Sequence, residues 1–98
     1  MFERILRKIR EAIRRGDYEA ADPHVQEALV ADDLTPVDAE FAILTGRITR
    51  RERDDPRGVR YTIVGRSTDG RTTAAIARIK ETGTPLLITV YIVGEKPS

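Results

Sequence analysis

The sequence predicts an α+β fold, with three N-terminal helices packed on a four-stranded antiparallel sheet, as a single domain over 1–98. Apolar residues recur at helical spacing in the first half of the chain and alternate at strand spacing in the second. Short turn sequences separate the segments of the second half, which favours antiparallel neighbours. We expect a helical part over 1–45, a sheet part over 46–93 and a frayed tail over 94–98.

The first two helices are predicted from their patterning and their ends. An amphipathic pattern with arginines in its last turn predicts a helix over 3–15, which Gly16 ends. Asp22 is a good N-cap and Pro23 suits a first helical position, so a second helix is predicted over 23–31.

The third helix has the strongest start signal. Thr35 is followed by a proline and, three residues later, by Asp38, which is a variant of the capping box. We therefore predict a helix over 36–44, ended by Gly46. The expected core draws on all three helices and on the sheet: Ile5, Ile9, Leu29, Phe41, Leu44, Ile63, Ile88 and Val90.

The second half is predicted to form strands over 47–53, 59–66, 71–79 and 86–93. The dipeptide Asp69-Gly70 is a hairpin signal between two of them. The segment Gly65–Thr72 also comes close to a phosphate-binding P-loop, but it is expected to be strand, turn and strand rather than a loop that leads into a helix.

Composition excludes several classes of protein. The chain has no cysteine, so it has neither disulfides nor a thiolate metal site. No apolar run approaches the roughly 18 residues of a membrane span, and arginines interrupt the first apolar segment, unlike a signal peptide. We expect a cytoplasmic protein that needs no cofactor and no metal and does not bind membranes.

The charges are segregated along the chain although the net charge is only +1. Residues 1–15 hold six basic and two acidic side chains, residues 16–46 hold eight acidic and no basic ones, and residues 47–98 hold eleven basic and six acidic ones. Phosphate-binding surfaces need clustered positive charge, so a nucleic-acid interface is expected in the basic parts. Alternatively, acidic helices and basic strands attract each other within the fold.

Three residues are candidates for catalysis. His24 is the single histidine, and its side chain titrates near neutrality, although a lone histidine near a helix start is usually structural. Arg60 and Arg66 should project from the same side of a strand, where two arginines can hold a phosphodiester. The competing interpretation is that arginines of this hairpin pair with Asp54 and Asp55.

Three further residues are candidates for nucleic-acid binding. Arg50 and Arg57 belong to the arginine-rich first hairpin, and Tyr91 offers a ring for base stacking. Tyr61, in contrast, alternates with apolar residues and is expected in the core.

An ordered set of short segments resembles a bacterial family called domain of unknown function 4258. Its carriers are Ile5–Ile13, Gly16-Asp-Tyr-Glu-Ala, His24-Val-Gln-Glu, Leu34-Thr-Pro, Ala42-Ile-Leu-Thr-Gly46, Asp54-Asp-Pro-Arg-Gly, Tyr61, Gly65-Arg, Asp69-Gly-Arg and Ile88-Thr-Val-Tyr91. That family looks similar to the RelE and BrnT toxins, which are metal-independent ribonucleases. The resemblance implies the same fold and points to His24, Arg60 and Arg66 as working residues.

Two functions from different classes remain open at this stage. One is a non-enzymatic interaction domain that binds protein or nucleic acid through the sheet edge or the basic hairpin. The other is a toxin-like, metal-independent endoribonuclease. The expected partners are RNA, a cognate antitoxin or another protein, and the sequence does not give the oligomeric state.

Overall fold

The structure is a computed structural model that describes residues 1–94. Within this range the helices are α1 (Glu3–Arg15), α2 (His24–Ala31) and α3 (Pro36–Thr45), and the strands are β1 (Glu19–Ala20), β2 (Arg47–Glu52), β3 (Arg60–Arg66), β4 (Thr72–Ile79) and β5 (Pro85–Ile92). The helices and β2 to β5 begin and end within one residue of the predicted ranges. Most of the predicted frayed tail, residues 95–98, lies outside the described residues.

The sheet differs from the prediction in its first strand. Its strand order is β1-β5-β4-β3-β2, and β1 pairs with β5 in parallel, so the described part of the chain forms a five-stranded mixed sheet. β1 has two residues, both exposed, and neither has a high strand propensity. It is held in place because it pairs with β5. Just after β1, the Ala21 N–H extends this pairing by donating to the Leu87 carbonyl at 2.9 Å. Such pairing depends on tertiary structure and leaves no local sequence signal.

The capping box at the start of α3 is confirmed. The Thr35 hydroxyl accepts a hydrogen bond from the Asp38 N–H, and the Asp38 carboxylate accepts one from the Thr35 N–H. The N-cap predicted for α2 is wrong, because that helix begins at His24 after Pro23, and no side chain of residues 1–94 caps it.

The core lies between the helices and one face of the sheet. Its buried members include Ile9, Leu29, Ile63 and Val90, as predicted. Three other predicted members, Ile5, Leu44 and Ile88, are only partly buried. Phe41 was wrongly predicted as core, since it is 39% exposed.

The close approach of α3 to β3 explains the exposure of Phe41. A Cβ atom on Gly65 would clash with the Ala42 carbonyl oxygen and would lie 2.8 Å from the Gly46 Cα. The helix face toward the sheet is therefore made of Ala39, Ala42 and Ile43, all of which are buried. The larger Phe41 lies on the outer side of the helix.

No helix within residues 1–94 is long and apolar enough to cross a membrane. The cytoplasmic location stays a prediction.

Candidate nucleic-acid interface

The sheet face turned away from the helices carries most of the arginines of the first hairpin. Tyr61, Ile63 and Gly65 of β3 face the helices and are buried, so the alternating residues face the other way. Strand register then gives three rows across β2, β3, β4 and β5: Arg47–Val64–Ala74–Tyr91, Arg50–Thr62–Ile76–Thr89 and Glu52–Arg60–Arg78–Leu86. We call these twelve residues, together with the pair Arg66–Thr72, the open face.

The upper part of the open face, which comprises its first two rows and Arg66, is accessible and basic. Arg47, Arg50 and Arg66 are exposed, and Tyr91 at the far end of its row is 40% exposed. Thr62 and Thr89 are partly exposed, whereas Ala74 is buried between its larger neighbours. A row of four strands spans about 14 Å at the usual strand spacing of about 4.8 Å. A positive edge therefore lies about three strand spacings from an accessible aromatic ring.

The exposed arginines are available to a ligand to different degrees. The Arg47 side chain makes no hydrogen bond or ion pair within residues 1–94. Arg66 donates from Nη1 to the Gly70 carbonyl at 3.0 Å. Arg50 lies 3.8 Å from Glu52, a loose contact for an exposed pair. Arg66 lies two residues after Val64, which is the partner of Arg47 on the neighbouring strand. The two arginines are therefore diagonal neighbours, with Cα atoms roughly 7–8 Å apart.

The lower part of the open face is its third row, where acids and arginines form a closed cluster with the β2–β3 loop. Arg60 donates to Glu52 at 2.9 Å, and Arg78 donates to Asp55 at 2.6 Å. Arg57 lies outside the rows, in the β2–β3 loop, and its N–H donates to Asp55 at 2.9 Å. The backbone of Arg57 and then the Arg78 side chain lower the pKa of Asp55 to about 2. Arg60 also lies 3.7 Å from Asp55, so the competing interpretation of the hairpin arginines applies to Arg57 and Arg60 but not to Arg66.

The structure does not bring His24 to the arginines. His24 is the first residue of α2 and is exposed on the helical side of the sheet. The α2 helix packs against β5, while Arg60 and Arg66 lie on β3 and on the opposite face. The catalytic roles of these three residues stay predictions.

The sequence interpretation did not single out Arg47, and a β-bulge explains why. In a regular strand Arg47 and Arg51 would share a face that excludes Arg50. The register shift between Ile48 and Arg50 instead places Arg47 and Arg50 on the open face. Arg51 turns to the helical side, where its guanidinium lies 5.5 Å from the centre of the Phe2 ring. A bulge depends on pairing with β3, so the composition of β2 gave no signal for it.

The segment that approaches a P-loop is strand, turn and strand, as expected. Ser67 N–H donates to the Arg71 carbonyl at 2.9 Å and closes the β3–β4 turn. The Arg71 guanidinium donates to the carbonyls of Asp32 and Asp33, both at 2.9 Å, which joins this turn to the α2–α3 connection. These contacts give the segment a structural role, as a turn that is fixed to the helical part of the domain.

The fold and the open face define an α+β domain with helices on one side of a sheet and a basic surface on the other. Comparison with known families agrees with the resemblance seen in the sequence: the model of the family described as Domain of unknown function (DUF4258) matches residues 21–92, and the chain belongs to that family. No curated protein and no solved structure matches the chain. The matched range contains the whole open face, whereas α1 and β1 precede it.

Proposed function

We propose that this domain is a non-enzymatic module that binds single-stranded nucleic acid, RNA in the first place, on the open face. The observation that carries the proposal is the shared position of Arg47, Arg50, Arg66 and Tyr91 on one sheet face that the described helices leave uncovered. Three of these residues were predicted as site residues from the sequence, and Arg47 joins them.

The chemistry of the open face suits a single strand. Exposed guanidinium groups bind phosphate oxygens with two parallel hydrogen bonds and release counterions from the strand. A tyrosine ring stacks on any base, so it supports binding with little sequence preference. Thr62 and Thr89, in the row between, offer hydroxyl groups to sugar and base edges.

The distribution of ion pairs supports a ligand role for the unpaired arginines. If the acidic segment 16–46 served to neutralise the basic strands, many ion pairs should connect them. Within residues 1–94 only one does, between Glu19 and Lys80 at 2.9 Å. The acids of α2 and α3 lie on the helical side of the sheet. The charge of Arg47, Arg50 and Arg66 is therefore left for a polyanion and orients its approach.

Ribonuclease activity of the RelE or BrnT type is the alternative function. It requires an acid–base group beside the bound phosphate, because the ribose 2′-hydroxyl must lose a proton as it attacks. His24 lies on the other side of the sheet from Arg60 and Arg66, and Arg60 is engaged by Glu52. This separation favours binding over cleavage.

The proposal is tested by fluorescence anisotropy with labelled single-stranded oligouridylate at about 50 and 200 mM salt. Arg47→Gln and Arg66→Gln should each weaken binding and reduce the slope of log affinity against log salt by about 0.7. Tyr91→Ala should cost about 1–3 kcal/mol of binding energy. Arg15→Gln, which removes the same charge from an exposed residue at the end of α1, is the matched control and should leave the slope unchanged.

The same samples separate the two functions by gel analysis of the RNA. Intact RNA after long incubation agrees with a binding module. Cleavage that His24→Ala abolishes would establish the ribonuclease instead. Absence of salt-dependent binding at micromolar protein would overturn both.

A further inference from the structure

A groove runs beside the open face, between the first half of α1 and the start of β2. Its cavity has a volume of about 640 Å³, and its walls include Phe2, Leu6, Arg10, Arg47 and Ile48. A second hollow of about 320 Å³ continues it along α1, between Glu3, Leu6, Arg7, Arg10 and Arg14. We call the two together the α1 groove.

The guanidinium of Arg10 is fixed where the two hollows meet. Its Nη2 donates to the Gly46 carbonyl at 2.5 Å and its Nε to the Ile43 carbonyl at 3.3 Å, both at the C-terminal end of α3. A cation is favoured at a helix C-terminus, so these bonds hold the side chain in place. An arginine held in this way loses little further conformational entropy when an anion binds.

Two more cations extend the positive charge along the helix. Arg7 and Arg14 lie three residues before and four after Arg10, so the three side chains share a face of α1. Arg7 and Arg14 are exposed and make no ion pair or hydrogen bond within residues 1–94. Among the described residues that line the α1 groove, Glu3 is the one acid, and the N-terminal amine donates to it at 2.6 Å.

Arg47 connects the α1 groove with the open face. It begins the first row of the open face, and it also lines the larger hollow. We infer that a single strand bound on the open face continues across the β2 edge, with its next phosphates against Arg10, Arg7 and Arg14. This inference rests on the proposed function and makes the ligand a long single strand rather than a short oligonucleotide.

The test compares two double variants that remove equal charge at equal spacing from one helix. Arg7→Gln/Arg14→Gln removes the two cations that α1 adds to the groove on either side of Arg10. Lys8→Gln/Arg15→Gln removes cations that line a different hollow, beside the β4–β5 turn at Thr82–Pro85. Each variant is titrated with oligouridylates of about 4 and about 16 nucleotides, the range of site sizes of single OB-fold domains.

The inference predicts that Arg7→Gln/Arg14→Gln reduces the salt slope for the long strand by about 1.4, the value for two lost phosphate contacts. Binding of the short strand should not change, and Lys8→Gln/Arg15→Gln should leave both unchanged. Equal effects of the two variants on the long strand would overturn the inference. If Arg66→Gln still weakened binding in that case, the proposed function would stand, and if the wild-type protein bound neither strand, both would fall.

Discussion

Asp38, near the start of α3, accepts two hydrogen bonds from Thr68 in the β3–β4 turn, at 2.8 Å from the backbone N–H and 2.6 Å from the hydroxyl. The same carboxylate accepts hydrogen bonds from Thr35, and the residue is only 5% exposed. The Thr68 hydroxyl is the largest of the contacts that lower the pKa of Asp38 to about 2. One buried carboxylate therefore caps a helix and anchors the hairpin that carries Arg66.

Asp38→Asn should destabilise the domain. The loss should be at least about 1.5 kcal/mol, the lower value for one hydrogen bond to a charged group, or roughly 6–12 °C in Tm. Because the folded pKa lies below the unfolded value, the charge stabilises the native state above about pH 4, and this stabilisation is lost as the pH falls toward 2. Thermal melts at several pH values measure both effects.

The matched control for that experiment is Asp54→Asn. Asp54 is exposed, and its side chain makes no hydrogen bond or ion pair within residues 1–94. Its Tm should stay close to that of the wild type. A Tm for Asp38→Asn that equals the control, with the full acid dependence retained, would refute the role given to Asp38.

The orientation of α3 gives a second stability prediction. Ile43 is 1% exposed, so Ile43→Ala should cost about 2–5 kcal/mol. Phe41→Ala should cost less although it removes more atoms, because the ring is 39% exposed. Urea unfolding of both variants gives the comparison, and a larger loss for Phe41→Ala would contradict the observed face of the helix.

Arg60 and Arg66 should respond differently to the same substitution. Arg60→Gln removes the pair with Glu52 and the 3.7 Å contact with Asp55, so we expect about 1–3 kcal/mol less stability and little change in RNA affinity. Arg66→Gln should leave stability within about 0.5 kcal/mol, as for an exposed side chain, and weaken RNA binding. Melting curves and anisotropy titrations on the same preparations test the two variants. A large loss of stability for Arg66→Gln and a large loss of RNA affinity for Arg60→Gln would contradict the division of the open face into an accessible part and a closed cluster.

Much of the fold is encoded locally, which is why it could be predicted. The capping box from Thr35 to Asp38 and the amphipathic period of α1 act within a few residues. Features that depend on distant contacts could not be predicted. β1 exists because it pairs with β5, and the exposure of Phe41 follows from the contact of α3 with Gly65.

The candidate site could be predicted only in part, because some of its features are encoded locally and others depend on distant contacts. Alternation along β3 places Arg60 and Arg66 on one face, as expected from the strand period. The accessibility of each arginine depends on its partners: Glu52 and Asp55 engage Arg60, while the bulge in β2 adds Arg47 to the open face. The position of His24 relative to β3 depends on which strand α2 covers, and no local pattern encodes that choice.

The central claim is that the open face binds single-stranded RNA, and amide chemical-shift mapping tests it most directly. Titration of isotope-labelled protein with oligouridylate should shift the amides of Thr62, Val64, Ile76, Thr89 and Tyr91, which lie in the first two rows of the open face. The amides of α2 and of the outer side of α3 should stay in place. Shifts confined to those helices, or no shifts at saturating RNA and low salt, would contradict the claim.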